Sequence, residues 1–499
     1  MNIRSPRGLS QRGRLGFLLK DSALYGGAAA ISKSFSIITF PLLARHFSTA
    51  DYGIIDFFGV LASFIGILII FGQDSSIARF FYEYEDKNHR QQLISQSIVF
   101  QLLVSFVLGT ILWIWSIPIA GALIQVPDAS IYFGLIVLKA PFLVLMNFSQ
   151  NLLKWSFDRN KFLFISLGST LFSIIALVVG IYHFNIGVAG ILWISIINYA
   201  VFGCLGIWFV RRWLVIPKDF GFLKELLRYA LPLGLISGAG AFVPLVERWL
   251  TNELLGLEEL GLYAAGTRVA MLVTLFVGAF QTAWGPFSLS LYKESDSIVS
   301  YNLVLKSFVL VMITISLLLS AIAYPLITIF ATERYAPGAI VVFPLALALV
   351  IQATSWITEI GIGISKRSHL NLYAYAAFVT VTISSIYILS SLFGLVGVAL
   401  GILFGHVAKS AISSWLAQKA YPLAWNYGVV LTYIGIGFSL GFVVLLIYNQ
   451  YSVVLASVLY LILAIGLFFV GVHMLFDQDD RSKAREFILS KLAWTKFRA

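Results

Sequence analysis

Apolar runs of about twenty residues, separated by short polar clusters, recur from one end of the chain to the other. A helix needs about 20 apolar residues to cross a hydrocarbon core of about 30 Å. Read at that length, the pattern predicts fourteen membrane-spanning segments, at 22–43, 53–78, 94–116, 131–153, 162–182, 186–210, 228–251, 260–286, 304–328, 338–362, 370–390, 394–417, 427–447 and 452–475. The segment from 22 carries basic residues before it, as a signal peptide does, but it has no A-x-A-like cleavage site and is long enough to span. The expected fold is therefore all-α and polytopic. No outer connection exceeds about fifteen residues, which leaves no room there for a soluble catalytic domain.

Composition agrees with that solvent. Hydrophobic residues make up 59% and charged residues 11%, against about 45–50% and 25% in soluble domains. The net charge of +11 follows the alternation that cytoplasmic loops impose. Basic residues fall at the N-terminus and at every second connection: Lys87 and Arg90; Lys154, Arg159 and Lys161; Arg211, Arg212, Lys218 and Lys224; Lys293; Lys366 and Arg367; Lys419; and the C-terminal tail. The intervening connections hold only Arg45 and Arg334. Both termini are thus expected in the cytoplasm, and the charge is assigned to topology, with no nucleic-acid partner. Cys204 is the only cysteine, so redox chemistry and an intrachain disulfide are not indicated.

Sliding the chain against itself by 208 residues superposes Gly26 on Gly234, Gly53 on Gly261 and Gln73 on Gln281. Repeated halves in one membrane protein are the usual architecture of alternating-access transporters. The expected organisation is an N-lobe at 1–215, a C-lobe at 216–420, two further helices at 421–476 and a basic amphipathic cytoplasmic tail at 477–499.

The stretch from 18 to 86 carries a more specific signal. Its first segment ends in Pro41-Leu42-Leu43-Ala44-Arg45, Asp51-Tyr52-Gly53 follows, and the second segment closes on Gly72-Gln73-Asp74-Ser75 and Ala78-Arg79-Phe80. With "LGLYAAGTRVA" at 260–270, these residues resemble the polysaccharide (Wzx-type) flippases of the multidrug/oligosaccharidyl-lipid/polysaccharide exporter superfamily. The resemblance implies two six-helix lobes around a cavity lined mainly by the first, second, seventh and eighth segments, with two extra helices. It also implies a substrate, an undecaprenyl-diphosphate-linked oligosaccharide of an O-antigen, capsule or exopolysaccharide pathway, moved from the cytoplasmic to the outer leaflet of the bacterial inner membrane. The partners to expect are that lipid-linked oligosaccharide, the bilayer, and polysaccharide polymerase or export machinery. A drug or metabolite antiporter on the same fold and a membrane-embedded polymerase or ligase are the alternatives. The chain has no GxxxxGK[ST] loop for direct ATP drive, no cofactor or metal is expected, and coupling to H+ or Na+ is left open.

Charges inside the membrane are the candidate chemistry, because each costs about 2.5–3.5 kcal/mol at a helix centre on insertion scales. Lys33, Arg248 and Arg268 are expected as cavity cations that hold the diphosphate or an anionic glycan. Asp56, Glu247 and Glu359 are the acids at comparable depth. Asp74 lies about 30 Å along a helix from Ile54, at its inner mouth, and with Arg79 is expected to form a gate or lobe-closing pair. Glu247 is a further gate or coupling candidate, and the repeat mates Gln73 and Gln281 are candidates to hydrogen-bond sugar or gate. Lys139, Glu359, His406 and Lys409 are expected chiefly in polar packing within a lobe.

Overall fold

The computed structural model describes residues 38–294, 297–450 and 453–478. Lys33 and the expected amphipathic tail from 479 onward lie outside them. Residues 38–46 are helical and lead into α1 (Thr49–Ile70), α2 (Gln73–Glu83), α3 (Lys87–Ile114), α4 (Ser116–Leu123), α5 (Ala129–Trp155), α6 (Arg159–Phe184) and α7 (Val188–Val210). After a short 3-10 turn come α8 (Gly221–Leu255), α9 (Leu257–Ala270), α10 (Val273–Leu291) and α11 (Ser297–Phe330). A second 3-10 stretch precedes α12 (Val342–Thr358), α13 (Ile360–Ile364), α14 (Leu370–Phe393), α15 (Leu395–Ala420), α16 (Tyr427–Gln450) and α17 (Val453–Leu475). Among the described residues there is no strand, and twelve helical spans are long and apolar enough to cross a membrane. The other two expected spans are the first, described only from residue 38, and the eighth, which is built as two helices.

Among the described residues four of the expected spans are interrupted, at 71–72, 115, 271–272 and 359. The second ends at Ile70, because Phe71 (φ 42°) and Gly72 (φ 73°) both turn left-handed before the chain restarts as α2. Glycine adopts that conformation freely and phenylalanine does not. Here the break is fixed by packing: a Cβ at Gly72 would stand 2.7 Å from the Gly234 nitrogen and 2.8 Å from the Ala230 carbonyl oxygen of α8. The eighth breaks at Met271 and Leu272, where α9 gives way to α10.

The helices are amphipathic in the sense that lipid demands. On α3, Ser97, Gln101 and Ser105 recur every four residues and are buried, while Leu103, Phe106, Val107 and Ile114 are exposed. A polar row turned inward and an apolar row turned outward reverses the soluble pattern. It lets the polar side chains find partners: Ser97 Oγ donates to Gln73 Oε1 at 2.8 Å and accepts from Gln101 Nε2 at 3.2 Å.

The chain divides into two compact units. One comprises the described residues up to 268 together with 330–335 and 386–398. In it α5 and α7 form the most extensive helix pair, and α1 is packed between α5 and α8. The other comprises 269–329, 336–385 and the described residues from 399 onward, with α16 against α17 and α10 against α12.

Candidate functional site

The first unit carries a buried ionic network on α1, α8 and α9. Helix α1 starts at a well-made N-terminus, where the Ser48 hydroxyl accepts from the Asp51 amide at 3.1 Å and the Asp51 carboxylate sits in the first turn, which the helix dipole favours. One turn on, Tyr52 and Asp56 lie four residues apart and so share a face. Both are buried. The neighbouring Gly53 is where α1 meets α9. A Cβ there would be 2.8 Å from the Leu257 carbonyl oxygen and 3.0 Å from the Gly261 nitrogen, and one on Gly261 would run into the Thr49 backbone. The repeat mates Gly53 and Gly261 therefore form the two sides of one close helix crossing.

Around that crossing four charges balance, two acids against two bases. Arg248 Nε donates to Asp56 Oδ2 at 3.1 Å, and Arg268 Nη2 donates to Asp56 Oδ1 at 3.0 Å. Arg248 Nη1 also donates to Glu247 Oε1, which accepts the Tyr263 hydroxyl as well. The Arg248 guanidinium stands 5.4 Å from the Tyr263 ring centre. Exposure divides the members sharply: the side chains of Asp56, Glu247 and Arg248 are 5%, 7% and 6% accessible, and that of Arg268 is 35%. A fully buried charge is tolerated only when it is paired and hydrogen-bonded, which is what Arg248 achieves through two carboxylates. Arg268 keeps one side open.

Arg248, Arg268 and Glu247 are thus brought together. Asp56 was legible as a deep acid, but not as the bridge between the two arginines, and neither Tyr263 nor Tyr52, whose hydroxyl is a hydrogen-bond partner of Arg268, gave a sign of its part. The usable signal was the pair of superposed glycines, which marks where α1 and α9 touch and hence which side chains surround the contact.

The remaining candidates lie elsewhere. Asp74 and Arg79 do not pair with each other. Asp74 is at the start of α2, where its Oδ1 accepts the Ser75 amide at 2.8 Å. Arg79 lies 4.7 Å from the ring centre of Tyr229 on α8 and 3.9 Å from Glu83. Gln73 is fully buried, with Ser97 on its Oε1 and no partner for its Nε2, whereas Gln281 on α10 is exposed. Lys139 on α5 faces the Tyr199 ring of α7 at 4.8 Å. In the second unit, Lys409 Nζ donates to Ser355 Oγ at 3.0 Å and to Glu359 at 3.3 Å. His406, one turn before it, is buried against the Phe378 ring at 4.5 Å, and its Nδ1 has no partner. Among the described residues no cluster of His, Cys, Asp and Glu is arranged to hold a metal ion.

A model of the polysaccharide biosynthesis protein family matches residues 18–292, more than half of the chain. The chain belongs to that family. The match takes in all four charges of the network and both stretches, 18–86 and 260–270, on which the resemblance to flippases rests. An uncharacterized membrane protein of Haemophilus influenzae is 26% identical over 286 residues, 56% of this chain and 67% of the relative. Among solved structures, the lipid II flippase MurJ in an inward closed conformation is similar with a TM-score of 0.68 at 15% identity, covering 90% of this chain and 98% of that one. An inward-facing multidrug-resistance MATE transporter of the MOP superfamily gives 0.60 at 15% identity, covering 78% and 94%. The chain therefore has the fold that flippases and multidrug transporters share.

Proposed function

We propose that this family member is a flippase that moves a lipid-linked oligosaccharide, held by its diphosphate, from the inner to the outer leaflet by alternating access. The observation that carries the reading is Arg268, a cation inside a membrane-spanning region with one face open beside an otherwise sealed, charge-balanced network. An anion entering a low-dielectric space is stabilised by such a group, and a guanidinium suits phosphate geometry. On this reading the substrate is undecaprenyl-diphosphate-linked, both termini are cytoplasmic and the membrane is the bacterial inner membrane. A drug antiporter on the same fold would offer acids to cationic drugs. Here Asp56 and Glu247 are both occupied by arginines, which disfavours that alternative.

The test is repeat-unit translocation in cells lacking the native gene, with candidate glycan pathways supplied in turn. The expected result is accumulation of unpolymerised lipid-linked units on the inner leaflet, relieved by the wild-type protein and not by Arg268→Gln. Units that reach the outer leaflet without this protein, yet stay unpolymerised, would show it to be a polymerase or ligase.

A further inference from the structure

The two arginines that share Asp56 differ in what else they hold. Arg248 is enclosed, with Glu247 on a second nitrogen and the Tyr263 ring beside it. Arg268 has Asp56 as its carboxylate partner, the Tyr52 hydroxyl of α1 as a neutral one, and a side chain one-third accessible. The Asp56 carboxylate thus spreads one oxygen to each guanidinium, an acceptor arrangement that a phosphate offers equally well and with more charge. Geometry links this contact to the backbone. Gly261, Ala265 and Arg268 recur at the spacing of one helix face, and Gly261 lies against Thr49, so this is the face that α9 turns toward α1. The Arg268–Asp56 pair joins residues 212 apart in sequence across that crossing, while Arg248 joins Asp56 to α8.

We propose that Asp56 is an internal occupant of the Arg268 anion site, and that a substrate phosphate displaces it by partner exchange. The Arg248–Glu247–Tyr263 portion stays assembled during the exchange. Loading then releases the α1–α9 tie and leaves the α1–α8 tie in place, so the crossing at Gly53 and Gly261 is free to open only when an anion has arrived. This rests on the flippase reading, because it requires an anionic lipid to be bound. An occupant that must be displaced lowers apparent affinity by the fraction of sites it blocks. Removing its charge should therefore tighten anion binding and loosen the crossing at once.

The experiment uses full-length purified protein with Cys204→Ala and Ala265→Cys, the latter replacing a fully buried residue of α9. Thiol labelling rate and affinity for undecaprenyl diphosphate are measured side by side. Undecaprenyl diphosphate should accelerate labelling of the Asp56-containing protein. Asp56→Asn should label fast without ligand, by about tenfold or more, and bind the lipid more tightly by a similar factor. Asp51→Asn, which removes the same charge from an accessible site on the same helix, should do neither. If the two neutralisations act alike, general electrostatics replaces partner exchange and the proposal is overturned. It is overturned too if the wild type binds the lipid with no change in labelling. A wild type that does not bind the lipid at all refutes the flippase reading instead. Should Asp56→Asn fail to fold, Arg268→Gln serves: with the tie cut and the anion site gone, the exchange requires fast labelling that undecaprenyl diphosphate does not change, and slow labelling or a normal lipid response in that variant would refute it.

Discussion

Two buried ionic sites, one in each unit, solve the same problem by different means. In the second unit Lys409 meets Glu359 between α15 and the end of α12, residues only 50 apart, with Ser355 supplying a further acceptor. In the first unit Asp56, Glu247, Arg248 and Arg268 come from three helices up to 212 residues apart. The first arrangement is a local pair that ties neighbouring helices. The second ties distant parts of the chain, and one of its members is left open. Stability alone would be served by the simple pair, since a buried ion pair is on average no better than apolar packing of the same volume. The larger network with its open arginine is the one that calls for a functional explanation.

Removing the central cation should separate network from pair most clearly. Arg248→Ala leaves Asp56 and Glu247 buried with too few donors, at a cost of about 3–5 kcal/mol, and the protein should fail to accumulate in the membrane. Arg248→Lys should rescue little, because an ammonium cannot reproduce the fork that serves two carboxylates. Lys409→Met is expected to destabilise less, since Glu359 is 18% accessible and can be hydrated. The double change Lys409→Met with Glu359→Gln should recover most of the loss. Asp56→Asn combined with Arg248→Met should not, because Glu247 is then stranded. Thermal unfolding in detergent separates these outcomes, and equal recovery by the two doubles would erase the distinction between pair and network.

A next smaller effect is expected at the glycine crossing. Gly261→Ala forces a Cβ into the Thr49 backbone, and overpacking of this kind costs about 1–3 kcal/mol. Gly238→Ala on α8, where a Cβ meets nothing within 4 Å, is the matched control and should be silent. If both are silent in the same unfolding measurement, the crossing is looser than its geometry implies and the Arg268–Asp56 tie is not reinforced by backbone contact.

Helix positions were legible because span length is a one-dimensional signal. The repeat offset even identified the two glycines that meet in space. The breaks at Phe71–Gly72 and Met271–Leu272 were not legible, since hydropathy averages over a change in backbone direction. At 71–72 the cause is a contact with Ala230 and Gly234, far along the chain. The pairing of charges was hidden for the same reason. Asp56 sits in an apolar run as the one charge on its helix face, and only tertiary packing shows that two arginines, 192 and 212 residues later, converge on it. Asp74 and Arg79, five residues apart, lie on different faces of α2, and each has a nearer partner.

The smallest effect is expected at Asp86, an accessible counterpart to the buried Asp56. Asp86 caps α3, accepting the His89 amide at 3.0 Å and facing the His89 ring at 2.8 Å. The donated backbone N–H, followed by the imidazole, holds its carboxyl below the usual aspartate range. A carboxyl whose pKa falls on folding contributes stability that is fully present above its unfolded pKa of about 3.9. That contribution is lost as the pH drops through the lower, folded value. Protection of the first-turn amides of α3 against hydrogen exchange, normalised to intrinsic rates, should therefore be flat above about pH 5 and decline below pH 4. In Asp86→Asn, which still caps but does not titrate, the decline should vanish while transport stays unchanged. Since 52% of this side chain is accessible, solvent screens its charge and the decline should remain confined to the helix end. A decline that spread to the α1–α9 crossing would mean that the accessible carboxylate is coupled to the buried network, contrary to the separation drawn between the two.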